Sequence, residues 1–127
     1  MLTITALLLA SQLASALPVR VPVATLPVSP AKSVTHVEAM RSEFLPGQAQ
    51  PEHMHPVPVV CFIAKGSFVV SIGDEPVRTV TAGQATIEPA GTITHYFRNA
   101  STTESATLNC MFLAGPDDKQ LTVMLGK

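Results

Sequence analysis

Residues 47–66 read GQAQPEHMHPVPVVCFIAKG, and residues 83–99 read GQATIEPAGTITHYFRN. The first stretch follows the turn signal Leu45-Pro46-Gly47, carries two histidines one residue apart, and ends at Gly66 after a run rich in Val, Ile and Phe. Side chains alternate between faces along a strand. If the strand is regular from His53 onward, Val57, Val59, Cys61 and Ile63 share the inward face with His53 and His55. The second stretch passes from Gly83 through Glu88-Pro89 and Gly91 into a strand candidate, Thr92–Asn99, where Phe97 and Asn99 share the face of His95. Two histidines two residues apart lie roughly 7 Å apart on one face, close enough to converge on one metal ion.

Outward from these stretches the same texture continues. Strand candidates are Ser33–Phe44, His53–Ala64, Ser67–Ile72, Pro76–Thr81, Thr86–Glu88 and Ala106–Leu113, with Leu121–Leu125 as a last strand or a short helix. Turn signals separate them every 8–12 residues or so, the spacing of an all-β sandwich or barrel. No stretch after residue 32 holds a helical period over three turns, so little helix is expected. The chain has 127 residues, enough for one domain, and 11 prolines cut it into short pieces.

Apolar residues make up 46% of the chain and charged residues 13%, which excludes disorder. The formal charge of −1 gives no footing for nucleic acid or a polybasic membrane patch. Residues 1–16, MLTITALLLASQLASA, hold no charged side chain and end in the small-x-small pattern Ala14-Ser15-Ala16. They read as a secretory signal peptide cleaved after Ala16, too short and polar to span a membrane. The expected location is therefore extracellular or periplasmic. Residues 17–32 carry four prolines without a period and form a linker or N-terminal arm. The folded domain is expected over 33–127. Export permits a disulfide, so Cys61 and Cys110 could pair, or both could be buried thiols, since a free cysteine behaves as a small apolar residue. Asn99-Ala100-Ser101 is a glycosylation triplet that matters only in a eukaryotic source.

The two stretches resemble the paired motifs of the cupin family, G-x5-H-x-H-x3-4-E-x6-G and G-x5-P-x-G-x2-H-x3-N. The match covers Gly47, His53, His55, Gly66, Gly83, Pro89, Gly91, His95 and Asn99 in order. The resemblance implies a single-domain double-stranded β-helix, a jelly-roll barrel, reaching from about residue 33 to 114. It also implies that His53, His55 and His95 bind a divalent transition metal (Fe²⁺, Zn²⁺, Mn²⁺, Cu²⁺ or Ni²⁺), since imidazoles suit these ions rather than Mg²⁺ or Ca²⁺. Small members often pair through their sheets, so a homodimer is a further expectation.

Two positions depart from the pattern. Val59 stands where the family has a metal-binding glutamate, and no neighbouring carboxylate replaces it. The second stretch also has one extra residue between Gly91 and His95. A bulge or longer turn can absorb it, and the preserved His95-x3-Asn99 spacing places the slack before the strand. Glu88 is one of few acids near the site in sequence. It is a candidate acid/base catalyst in place of the missing carboxylate, or alternatively a surface or turn-capping residue. Gln50 is a polar neighbour of His53, and His36 is a surface or packed histidine. Val59, Cys61, Phe97 and Asn99 are expected to line an apolar pocket for a small apolar or aromatic molecule. The expected function is a metal-dependent enzyme of oxygenase, isomerase or decarboxylase type. The alternatives are a non-catalytic metal- or ligand-binding module, or a structural barrel with vestigial histidines.

Overall fold

A computed structural model describes residues 17–126; the expected signal peptide, 1–16, lies outside the described residues. Ten strands follow in chain order: β1 His36–Phe44, β2 Ala49–Gln50, β3 His53–Met54, β4 Val59–Lys65, β5 Ser67–Ile72, β6 Arg78–Thr81, β7 Ala85–Glu88, β8 Ile93–Asn99, β9 Ala106–Ala114 and β10 Val123–Met124. Among the described residues there is no helix, so none could cross a membrane. The arm 17–32 has no regular structure, and Leu17, Val19 and Val21 are well exposed.

The strands form two antiparallel sheets, one ordered β1-β9-β4-β7 and one β10-β3-β8-β5-β6, with β2 also paired to β8. This is the expected all-β jelly roll. Its core lies between the sheets, where Phe68 sits between Phe44 and Phe97 at ring-centroid distances of 5.1 and 5.2 Å. Val57, Val59, Cys61 and Ile63 are fully buried.

The run expected as one strand over 53–64 breaks into β3 and β4. Pro56 and Pro58 cause the break, because proline has no N–H to give to a ladder. The alternation survives it: His53, His55, Val57, Val59, Cys61 and Ile63 all remain buried. Gly66 closes the β4–β5 hairpin at φ +79°, and a Cβ there would lie 2.9 Å from the Ala106 Cβ. Only glycine meets both demands.

Candidate metal centre

His53 and His55 leave the second sheet at β3 and point between the sheets, with 3% and 6% exposure. Each ring is fixed by a main-chain carbonyl. The Nδ1 of His53 donates to Pro51 O at 2.8 Å, and the Nδ1 of His55 donates to Leu121 O at 2.8 Å. With Nδ1–H engaged, each imidazole turns Nε2 toward the interior. The rings lie 4.8 Å apart, and His55 packs edge-on against Phe112 at 5.2 Å.

Glu88 closes the group from the opposite sheet. Its Oε1 is 3.1 Å from His53 Nε2 and its Oε2 is 3.5 Å from His55 Nε2. Thr94 Oγ1 donates to Oε1 at 2.5 Å. Glu88 is the register partner of Val59 across the β4–β7 ladder. The carboxylate absent from position 59 thus reaches the same space from the adjacent strand. Sequence spacing along one strand carries no trace of this, since 29 residues separate the two positions.

Burial alone would raise the Glu88 carboxyl, but hydrogen bonds from His53, His55 and Thr94 outweigh it and hold the pKa at about 2. Burial would likewise lower His53, yet its bonds to Glu88 and to the Pro51 carbonyl raise it. The group is a buried carboxylate facing two imidazole nitrogens, a place that demands a cation, whether a proton on an imidazole or a metal ion.

The third member of the group differs from the expected His95. That residue is exposed, with Nδ1 3.0 Å from Glu52 Oε2, and does not approach His53 or His55. The extra residue of the second motif is absorbed inside β8, not before it. Ser71 pairs with Tyr96 and Ile72 with Thr94, leaving His95 as the unpaired residue of a bulge. Thr94, fully buried and opposite His53, takes the inward position instead. Phe97 and Asn99 return to the inward face beyond the bulge, which His95 no longer shares.

The other expected residues are distributed as follows. A cavity of about 200 Å³ is lined by Val59, Phe97, Met40, Phe44, Leu108 and Phe112 around the His53–His55–Glu88 group, with Gln50, Ser42 and Thr122 as its polar wall. Cys61 lies behind Glu88 and is joined to Cys110 in a disulfide. Asn99 does not line the cavity. Its Nδ2 donates to the carbonyls of Phe44, Leu45 and Glu104 at 3.3, 3.1 and 2.7 Å, and its Oδ1 accepts from Ser101 N at 3.0 Å. His36 is exposed, 3.3 Å from Thr35 Oγ1.

The donor set fits a transition metal. His53 Nε2, His55 Nε2 and a Glu88 oxygen lie within 4.8 Å of one another, the two-histidine, one-carboxylate set that leaves further positions open on the ion. Both histidines give their other nitrogen to a carbonyl, the usual outer-shell support for metal-binding imidazole.

A cupin-domain family model matches residues 40–112, more than half of the chain. Oxalate oxidase in complex with the substrate analogue glycolate is similar at 25% identity and a TM-score of 0.61, over 70% of this chain and 46% of that one. Oxalate decarboxylase from Bacillus subtilis (22%, TM-score 0.61, 70% and 24%) and a DMSP lyase from Ruegeria pomeroyi (18%, TM-score 0.59, 69% and 42%) share the fold. The chain spans less than half the length of these structures. No curated protein sequence matches it. Because the family match covers more than half of the chain, from within β1 to within β9, and takes in His53, His55 and Glu88, the chain belongs to the cupin family.

Proposed function

We propose that the protein binds one divalent transition metal through His53, His55 and Glu88 and acts with it on a small, largely apolar molecule. One observation carries the reading: two imidazoles, each held by a carbonyl, and a buried carboxylate converge from opposite sheets. When bound, such an ion supplies Lewis acidity and open coordination positions for substrate or O₂. Thr94 holds the Glu88 carboxylate in place, and Pro51 and Leu121 hold the rings. To hold such an ion, His53 would give up the Nε2 proton that Glu88 stabilises. The apolar wall excludes water from the bound molecule. Among the described residues no Lys or Arg lines the cavity, so a doubly charged substrate such as oxalate meets no second countercharge from them. A neutral or singly charged molecule suits the lining better.

One observation favours a second reading, a non-catalytic holder of a metal or small ligand. Among the described residues, no acid or base lines the cavity apart from His53, His55 and Glu88 themselves. Turnover of any substrate that vanishes in His53→Ala decides for the enzyme.

The test of the centre is metal titration of chelator-treated protein. One Zn²⁺ or Mn²⁺ per chain is expected. His53→Ala, His55→Ala and Glu88→Gln weaken binding by more than about 100-fold, beyond the usual effect of losing an outer-shell partner. His95→Ala stays within about twofold, as a residue outside the centre should. Equal losses in His95→Ala and His53→Ala overturn the assignment. Export is proposed with it, supported by the disulfide, which persists in oxidising compartments. Recovery of protein beginning at Leu17 from the medium or periplasm is the expected result.

A further inference from the structure

The disulfide stands in the wall of the metal centre rather than at the rim of the barrel. Cys61 on β4 and Cys110 on β9 are register partners with Cα atoms 4.1 Å apart. Their surroundings differ. Cys61 is fully buried, and its Sγ lies 3.8 Å from Glu88 Oε2. Cys110 is partly exposed and lines the cavity. One sulfur is reachable from solvent, and the other lies against the carboxylate of the metal group. Strands β4 and β9 are already paired from Val59 to Lys65, so joining them needs no sulfur at this particular point.

We propose that the Cys61–Cys110 disulfide is a redox-controlled ligand switch, in which reduction by a dithiol frees the Cys61 thiol to join His53, His55 and Glu88 on the metal. The inference rests on the metal centre proposed above. A thiolate of the dithiol attacks Cys110 Sγ from the cavity, forming a mixed disulfide and breaking the Cys61–Cys110 bond, whose electron pair leaves on Cys61. The second thiol of the reductant then attacks its own sulfur in the mixed disulfide and releases Cys110. Two electrons pass to the cysteines, two protons accompany them, and the reductant leaves as its own disulfide. On coordination the Cys61 proton passes to solvent through the cavity.

The spacing suits this. A tetrahedral ion with bonds of about 2.3 Å to sulfur and 2.0–2.2 Å to oxygen sets those atoms roughly 3.6 Å apart. The observed Cys61–Glu88 separation of 3.8 Å is close to that value. While oxidised, Cys61 carries neither charge nor proton and contributes only apolar bulk. Once reduced, it adds a soft anionic donor, which shifts preference toward Zn²⁺ and away from Mn²⁺.

The experiment is a Co²⁺ titration of chelator-treated protein, oxidised and reduced, the latter desalted from dithiol under argon. Both forms should show cobalt d–d bands, and only the reduced form a near-ultraviolet thiolate-to-cobalt band, with Zn²⁺ binding tightened at least about tenfold by the added ligand. Cys110→Ser, which leaves Cys61 free, should show that band without reductant, and Cys61→Ser should lack it under all conditions. Unfolding midpoints report whether each variant is folded, and reduced wild type serves if Cys110→Ser is not. Cobalt bound with d–d bands but no thiolate band after reduction overturns the switch and leaves the metal centre standing. No cobalt bound by either form overturns both.

Discussion

Replacing Asn99 by Ala removes a clamp on which three segments converge. Its side chain is 2% exposed and ties β8 to the Phe44-Leu45 turn and to the loop before β9. The amide has two protons for three carbonyls, so Glu104 takes one at 2.7 Å while Leu45 and Phe44 share the other. With the bond from Ser101 N, three hydrogen bonds are lost. At about 1 kcal/mol each, the loss is about 3 kcal/mol, and more where a carbonyl stays buried and unpaired. For a domain of about 100 residues this lowers Tm by roughly 12 °C or more. Circular dichroism in urea and on heating is the suitable assay, because the chain has no Trp and one Tyr. Asn99→Asp sharpens the test: at neutral pH it sets a carboxylate oxygen against the same carbonyls and should cost more than Ala. A loss under about 1 kcal/mol in Asn99→Ala, or an Asp variant as stable as wild type, refutes the clamp.

Glu88 makes the metal-free protein acid-sensitive. Its folded pKa of about 2 lies below its ordinary 4.5, so its contribution is present above pH 4.5 and lost as pH falls toward 2. His53 is raised, so its contribution is present below pH 6.5 and lost as pH rises through the folded value. In chelator, the urea midpoint of wild type should therefore fall more steeply from pH 5 to 3 than that of Glu88→Gln; parallel curves contradict it. Gly66→Ala should cost about 2 kcal/mol or more, joining backbone strain to a clash with Ala106, whereas Gly83→Ala meets nothing within 4 Å and should cost about 1 kcal/mol in urea titrations. Cys61→Ala with Cys110→Ala reopens a loop spanning 49 residues and should lower stability by up to about 4 kcal/mol, read from denaturant midpoints.

Much of the barrel and half of its site were legible along the chain. The strands, the turn glycines and the inward row from His53 to Ile63 follow from a period of two, which depends only on local backbone geometry. That row held even where Pro56 and Pro58 interrupted the strand and the chain bends at Pro56 and Val57: Val57 and the residues of β4 that follow it kept their inward face. The identity of the third member of the group was not legible. Spacing placed His95 inward, yet a single residue accommodated within β8 turned it out and left Thr94 in its place. A one-residue shift reverses the face of a side chain, and where the shift falls is set by pairing with β5.

By itself, then, the sequence determined the fold, the His53–His55 pair and the apolar character of the interior, all consequences of local alternation and burial. Tertiary structure decided that Glu88 rather than Val59 supplies the carboxylate, that Cys61 and Cys110 join, and that Asn99 clamps loops instead of facing the cavity. The first two depend on which residues stand opposite each other on strands far apart in the chain. The third depends on which loops fold back over the end of β8. Both are settled by long-range packing, about which spacing within one segment carries no information.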